Sequence, residues 1–141
     1  QREALQEVIQ MLRDGQAGPM GAHMLVVTAR GRKTGTPYST PIGFMRQGDD
    51  ALAVNRGGRA NWYRNARATP EVELFIDGRD VTATCRHLDS EAEIAAAFEH
   101  YRQNAQGFER LFGVAPDASE QALLEARDAY CYVRFGDFVP R

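Results

Sequence analysis

Apolar residues recur along this chain in two rhythms, and the change from one to the other divides it into elements. Leu5, Val8, Ile9 and Leu12 fall three and four positions apart between Arg2 and Arg13, which is one face of a helix, and Gly15 closes the segment. From Met24 the period changes to that of strands: Met24 to about Arg30, Tyr38 to Arg46, and Ala51 to Val54, divided by glycine-bearing turns at Gly31–Pro37 and Gly48–Asp50. Val72, Leu74 and Ile76 alternate with Glu73, Phe75 and Asp77. Beyond Asp77-Gly78, Val81, Ala83 and Cys85 alternate with Thr82, Thr84 and Arg86, which reads as a hairpin with a two-residue turn. A last strand alternates Cys131, Val133 and Phe135 with Tyr130, Tyr132 and Arg134. Helices are expected in between: a short one carrying Trp62, Tyr63 and Ala66 that ends at Thr69-Pro70, and a longer one opened by the capping pair Ser90 and Glu93 and continued by Ile94, Phe98, Tyr101 and Ala105. A third is expected to begin at Asp117 and Glu120 and run through Leu123 and Leu124.

About six short strands joined by tight turns must pair antiparallel. In a chain of 141 residues such a sheet removes its edges by closing on itself. The expected fold is therefore mainly β with peripheral α: a small barrel with an N-terminal helix, forming a single domain over residues 1–141. No internal repeat or low-complexity segment is visible.

Composition narrows the function more than the fold. Seventeen Lys and Arg against nineteen Asp and Glu give a net charge of −2, so a nucleic-acid partner, which needs a strong basic excess, is not expected. No run approaches the ~20 apolar residues that cross a bilayer, and no signal peptide is visible, so the expected location is cytoplasmic. The stripe of the first helix is expected to pack on the domain. Peripheral membrane contact through that helix is the minority alternative, because its polar face carries acids as well as Arg. Cys85 and Cys131 lack metal or disulfide spacing and read as reduced, apolar core thiols. His23, His87 and His100 form no ligand set, so no metal is expected, and Ser39, Ser90 and Ser119 lack a Gly-x-Ser-x-Gly context.

Three glycine-bearing segments at strand ends remain. Gly31-Arg32-Lys33-Thr34-Gly35 frames two cations and a hydroxyl with glycines, the build of a cradle for phosphate, although taken alone such a turn is more often a solvated hairpin tip. It is not a Walker loop. Thr40-Pro41-Ile42-Gly43 and Asn55-Arg56-Gly57-Gly58 offer backbone that a flat ligand can approach, the second leading into Trp62 and Tyr63. Those two rings could close a pocket, but a Trp on a short helix is more often core. With no nucleophile, metal set or poised acid and base, a bound cofactor is expected to carry the reaction, and redox chemistry is the natural class.

Taken in order, Gly-Arg-Lys-Thr-Gly at 31–35, Thr40-Pro41, Gly57-Gly58, Trp62-Tyr63-Arg64-Asn65 and Thr69-Pro70-Glu71-Val72 strongly resemble the deazaflavin-dependent nitroreductase and F420H2-dependent quinone reductase family, over roughly residues 24 to 88. The resemblance implies a split β-barrel related to FMN-binding oxidoreductases, with reduced coenzyme F420, a deazaflavin, as hydride donor. It implies that Arg32, Lys33 and Thr34, with Gly35, hold the cofactor's phosphate and acidic tail. Pro41, Ile42 and Gly43 would support the ring, Asn55, Arg56, Gly57 and Gly58 would line its polar edge, and Trp62 and Tyr63 would border the pocket. The acceptor would be a small electron-poor molecule, a quinone, nitroaromatic or enone, protonated by Tyr63, Tyr101 or water. A homodimer is expected by the same analogy. Two features depart from the family pattern: the link Gly58-Arg59-Ala60-Asn61-Trp62 is short and lacks a proline, and the late Tyr-Pro-x-Tyr-x-x-Tyr-Gln segment is replaced by Tyr101 and Gly107–Gly113. The alternatives are an FMN-dependent oxidoreductase of the pyridoxamine-phosphate-oxidase class, and a non-catalytic carrier of a deazaflavin, haem or fatty acid.

Overall fold

The computed structural model describes residues 2–141. In chain order it contains α1 (Arg2–Arg13), a 3-10 turn (Gly18–Ala22), β1 (Met24–Arg30), β2 (Pro37–Gly43), β3 (Met45–Gln47), β4 (Asp50–Arg56) and α2 (Asn61–Ala68). β5 (Glu71–Ile76), β6 (Arg79–Leu88), α3 (Glu91–Asn104), α4 (Phe108–Phe112), α5 (Glu120–Asp128) and β7 (Tyr130–Pro140) follow. All strands pair antiparallel in one seven-stranded sheet ordered β2-β1-β5-β6-β7-β4-β3.

The strand expected over Tyr38–Arg46 is two strands, which raises the number from about six to seven. Between them Phe44 turns its ring into the core, 7% exposed, and its N–H donates to the His23 carbonyl at 2.9 Å. β2 and β3 are the opposite edges of the sheet, yet they are separated by this one residue, so Gly43 and Met45 lie within about 7 Å of each other. The sheet must curl until its edges adjoin. No ladder joins β2 to β3, so the curled sheet stays split along that seam.

Alternation along each strand then serves two sides. On β4, Ala51 and Ala53 enter a cluster inside the curl with Leu25, Val27, Leu74 and Phe135, while Leu52 faces outward to Phe98, Phe108 and Tyr132 beneath α3, α4 and α5. α1 covers Val26 through Ile9 and Leu12, so part of its stripe packs on the domain as expected, while Leu5 stays 45% exposed. The Asp77-Gly78 turn has φ of 55° and 74°, the left-handed pair that a two-residue hairpin requires.

The Ser90 hydroxyl accepts the Glu93 N–H at 3.1 Å and caps α3 as expected. The cap of α5 is Ser119 rather than Asp117, with the Ser119 hydroxyl accepting the Ala122 N–H at 3.1 Å. α4 is an additional helix beyond those expected from the sequence, a single turn pinned by buried Phe108 and Phe112 and ended by Gly113 at φ 77°. β7 runs five residues beyond Phe135, to Pro140.

Candidate functional site

Two glycine-bearing loops abut α2 at one end of the curled sheet. In the first, the Gly31 N–H donates to the Thr36 carbonyl at 2.7 Å, the Gly35 N–H to the Gly31 carbonyl at 2.8 Å, and the Thr36 N–H to the Thr34 hydroxyl at 3.2 Å. A Cβ on Gly31 would sit 3.0 Å from the Thr34 hydroxyl and 3.1 Å from the Tyr38 ring, so a larger residue there would have to push these side chains aside by a few tenths of an ångström. Arg32 is bolted to the helix behind it: its backbone N–H and its guanidinium both donate to Asn65 Oδ1, at 3.1 and 2.7 Å. Asn65 is 4% exposed, the one buried polar side chain among the described residues. Lys33 and Thr34 stand in solvent, and their backbone N–H groups meet no acceptor among the described residues. Two adjacent free N–H groups, an ammonium and the remaining guanidinium donors suit a phosphate or carboxylate guest.

The second loop is shaped from beneath. Asn55 Oδ1 accepts the Ala60 N–H at 3.1 Å, and the Gly57 N–H donates to the Ala129 carbonyl at 3.0 Å. Gly58, at φ +66°, lies so close to β7 that a Cβ there would meet Cys131 Sγ at 3.0 Å and the Tyr63 ring at 3.3 Å. Cys131 is accordingly half-buried against this loop, whereas Cys85 is fully buried; both are free thiols. The Arg56 guanidinium lies 5.6 Å over the Tyr130 ring.

The aromatic residues named from sequence face inward. Trp62 is 7% exposed, packed on Phe135 at 6.2 Å and edge-on to Tyr63 at 5.9 Å, so the core alternative is where the indole sits. The Tyr63 ring lies 4.5 Å from that of His87, whose Nε2 is 3.0 Å from the Tyr63 carbonyl, and burial of the His87 imidazole disfavours its charged form. Burial, with a further push from the Cys131 thiol, moves the Tyr63 hydroxyl up to about 12. The Tyr101 hydroxyl donates to the Leu52 carbonyl at 3.1 Å, and burial raises it too. Burial also pushes the Cys85 thiol up to about 12. Groups whose folded-state values are raised keep their contribution at low pH and lose it as pH climbs through the folded value. The melting temperature is therefore expected to hold to about pH 9 and fall steeply by pH 12, with a shallower fall in Tyr63→Phe. A flat profile would contradict this burial.

A concavity of about 880 Å³ opens at the other end of the β1–β2 hairpin. The hairpin pairs Arg30 with Pro37 beside the basic turn and Met24 with Gly43 beside the groove, so roughly 20 Å of strand separates the two. Pro41 and Ile42 lie between them, half-buried on β2. Of the residues given a cofactor or proton-transfer role from sequence, only Gly43 and Tyr101 line the groove. Instead of a single pocket, the structure presents a basic end and an apolar groove at the two ends of the β1–β2 hairpin. Asn65, which orients Arg32, lies within the Trp-Tyr-x-Asn stretch, but its role depends on a contact that the local sequence does not reveal. Among the described residues no group of three His, Cys, Asp or Glu could hold a metal, and no helix is long and apolar enough to cross a membrane.

Known proteins carry the same pattern. A 78-residue segment is 31% identical to an F420H(2)-dependent quinone reductase of Mycobacterium tuberculosis and covers 52% of each chain, so the match spans about half the length of that relative. A solved F420-H2 dependent reductase superposes with a TM-score of 0.50 at 19% identity, covering 80% of this chain and 93% of its own. A Listeria innocua protein named for pyridoxamine 5′-phosphate oxidase gives 0.53 at 13% identity, covering 97% and 94%. At such identities the structures speak for the split-barrel fold alone. A family model described as F420H(2)-dependent quinone reductase matches residues 4–112, from α1 through β1–β6 to α4, and by that match the chain belongs to the F420H(2)-dependent quinone reductase family.

Proposed function

We propose that this chain binds reduced coenzyme F420 and uses it to reduce a small electron-poor acceptor, in the first instance a quinone. The observation that carries the reading is the braced turn: Arg32 held by Asn65, beside free N–H groups at Lys33 and Thr34, inside the segment matched by the family. When bound, the deazaflavin supplies the hydride. Every other task falls to the chain. Arg32, Lys33, Thr34 and Gly35 hold phosphate and carboxylate groups by charge-assisted hydrogen bonds. The strand carrying Pro41, Ile42 and Gly43 gives a flat ring a backbone platform. Asn55, Arg56, Gly57 and Gly58 form the neighbouring edge, where a positive charge lies beside main chain free of side-chain bulk. Trp62 supports this loop from the core, and Tyr63 packs directly behind Gly58. The Tyr101 proton is committed to the Leu52 carbonyl, so water entering the groove is the nearer source of a proton for the acceptor.

Titration of the purified protein with F420H2 and, separately, with FMN tests the cofactor. Tight binding of FMN with none of F420 would overturn the reading in favour of the oxidase-like class. A carrier would bind F420H2 without oxidising it faster when a quinone is added. Lys33→Ala is expected to weaken F420H2 binding by about 1 to 3 kcal/mol, the scale of a hydrogen bond to a charged group, with the loss shrinking as salt is raised. An unchanged dissociation constant at low salt would remove Lys33 from the site.

A further inference from the structure

We infer that Tyr130 is a positioning residue for the cofactor's polar edge: its ring face holds the Arg56 guanidinium in place and leaves the N–H donors of that group free for the guest. This rests on the proposed function, which sets Arg56 at that edge, and adds a residue of β7, beyond the 4–112 segment that the family model matches.

The sheet builds the pair. Arg56 and Tyr130 stand opposite each other on the last rung of the β4–β7 ladder, and just beyond it the Gly57 N–H donates to the Ala129 carbonyl at 3.0 Å. There the strand gives way to Gly57 and Gly58, at φ 72° and 66°. The main chain of Arg56 is therefore set by the ladder, and its long, exposed side chain is what remains to be ordered. An arginine that must give up its rotamer freedom on binding weakens the complex by that entropy.

The way this side chain is held sets it apart. Among the described residues three guanidiniums lie over aromatic rings: Arg13 over Phe75 at 4.8 Å, Arg46 over Phe44 at 5.6 Å and Arg56 over Tyr130 at 5.6 Å. Arg13 is also paired with Asp80 and Arg46 with Asp77, whereas no carboxylate among the described residues pairs with Arg56. A carboxylate occupies the guanidinium fork and offsets its charge. A ring face attracts the same cation through its quadrupole and takes no donor. Arg56 thus keeps both its charge and its planar fork for a carbonyl or anionic edge.

The ring is anchored in turn. The Tyr130 hydroxyl donates at 2.5 Å to the Leu111 carbonyl, in the last turn of α4, where carbonyls lack partners within the helix. Phe112, buried on the same helix, stands edge-on to the Tyr130 ring at 4.8 Å and 63°. The two ends of Tyr130 therefore have separate tasks: the hydroxyl ties down α4, and the ring face steadies the cation.

Substitutions at Tyr130 separate these tasks. In the cofactor-free wild type, the NMR signals of the Arg56 side chain are expected to be shifted upfield by the Tyr130 ring current, and in Tyr130→Leu to return to ordinary arginine positions. Tyr130→Phe keeps the face and loses the hydroxyl, so its melting temperature should fall while the dissociation constant of F420H2 stays within about twofold of wild type. Tyr130→Leu should bind F420H2 about fivefold more weakly, the factor expected for ordering one free arginine side chain. In an Arg56→Ala background the same leucine substitution should change affinity by less than about twofold, because the residue it acts through is gone. The inference is overturned if the Arg56 signals are unshifted in the wild type, if phenylalanine and leucine weaken binding equally, or if leucine costs as much without Arg56. A wild type that binds no F420H2 at all would overturn the proposed function and this inference with it.

Discussion

Phe135→Ala is expected to destabilise the protein by about 3 to 5 kcal/mol, the loss seen when a large aromatic leaves a core that cannot collapse around the gap. Phe135 is 0% exposed and lies mid-way along β7, opposite Ala51 on one side and Cys85 on the other. Its ring supports Trp62, and through it α2, which carries Asn65 and backs both glycine loops. Neither cross-strand neighbour can swing into the cavity, since alanine is already minimal and cysteine short. Urea unfolding measures the loss; a change under about 1.5 kcal/mol would mean that the interior of the curl repacks freely, contrary to ordinary core packing. A reduced F420H2 affinity should accompany it, because α2 loses its seat.

Asn65→Leu is the second. Leucine keeps the branched shape, though it is bulkier, and removes the acceptor that takes two donors of Arg32, leaving a part-buried N–H and a guanidinium without a partner. Stranding such groups costs about 1 to 3 kcal/mol of stability. F420H2 affinity should fall tenfold or more, which is about 1.4 kcal/mol, because the Arg32 fork no longer waits in register for its guest. Asn65→Asp separates bracing from charge. It keeps the acceptor and strengthens its hold on Arg32, so stability should be retained, while the added negative charge behind the cradle weakens anion binding. Equal affinity in wild type, Asn65→Leu and Asn65→Asp would show that the turn is not where the cofactor's phosphate rests.

Local chemistry made some elements legible. The β5–β6 hairpin carries alternation on both arms and Asp-Gly at the turn, and α3 carries its own cap, so neither needs tertiary context. Phe44 did not announce itself, because apolar residues continue through 42–45 and only the opposite sheet positions of β2 and β3 reveal a break. Asp117 and Ser119 are both good N-cap residues, and no local rule ranks them; the hydroxyl of Ser119 took the role. The basic turn and the Gly57-Gly58 loop could be read because cations beside glycines are a local signal. Asn65 could not be assigned a role in the same way, since its work is done across 33 positions of sequence, nor could the groove, whose walls come from β2, β3, β4, α3 and α4. Trp62 belongs to a residue class that serves pockets and cores alike, and burial alone distinguishes the two.

β7, the final element in chain order, lies between β6 and β4. Until residues 130–140 leave the ribosome, the nascent chain can assemble only β2-β1-β5-β6 on one hand and β4-β3 on the other, linked by covalent chain at Phe44 and through α2. Both fragments would present bare ladder edges at the positions β7 later occupies, and a second nascent copy could occupy them first. Slow synthesis through residues 130–140, or a premature stop before them, would therefore favour aggregation over a shortened but working protein.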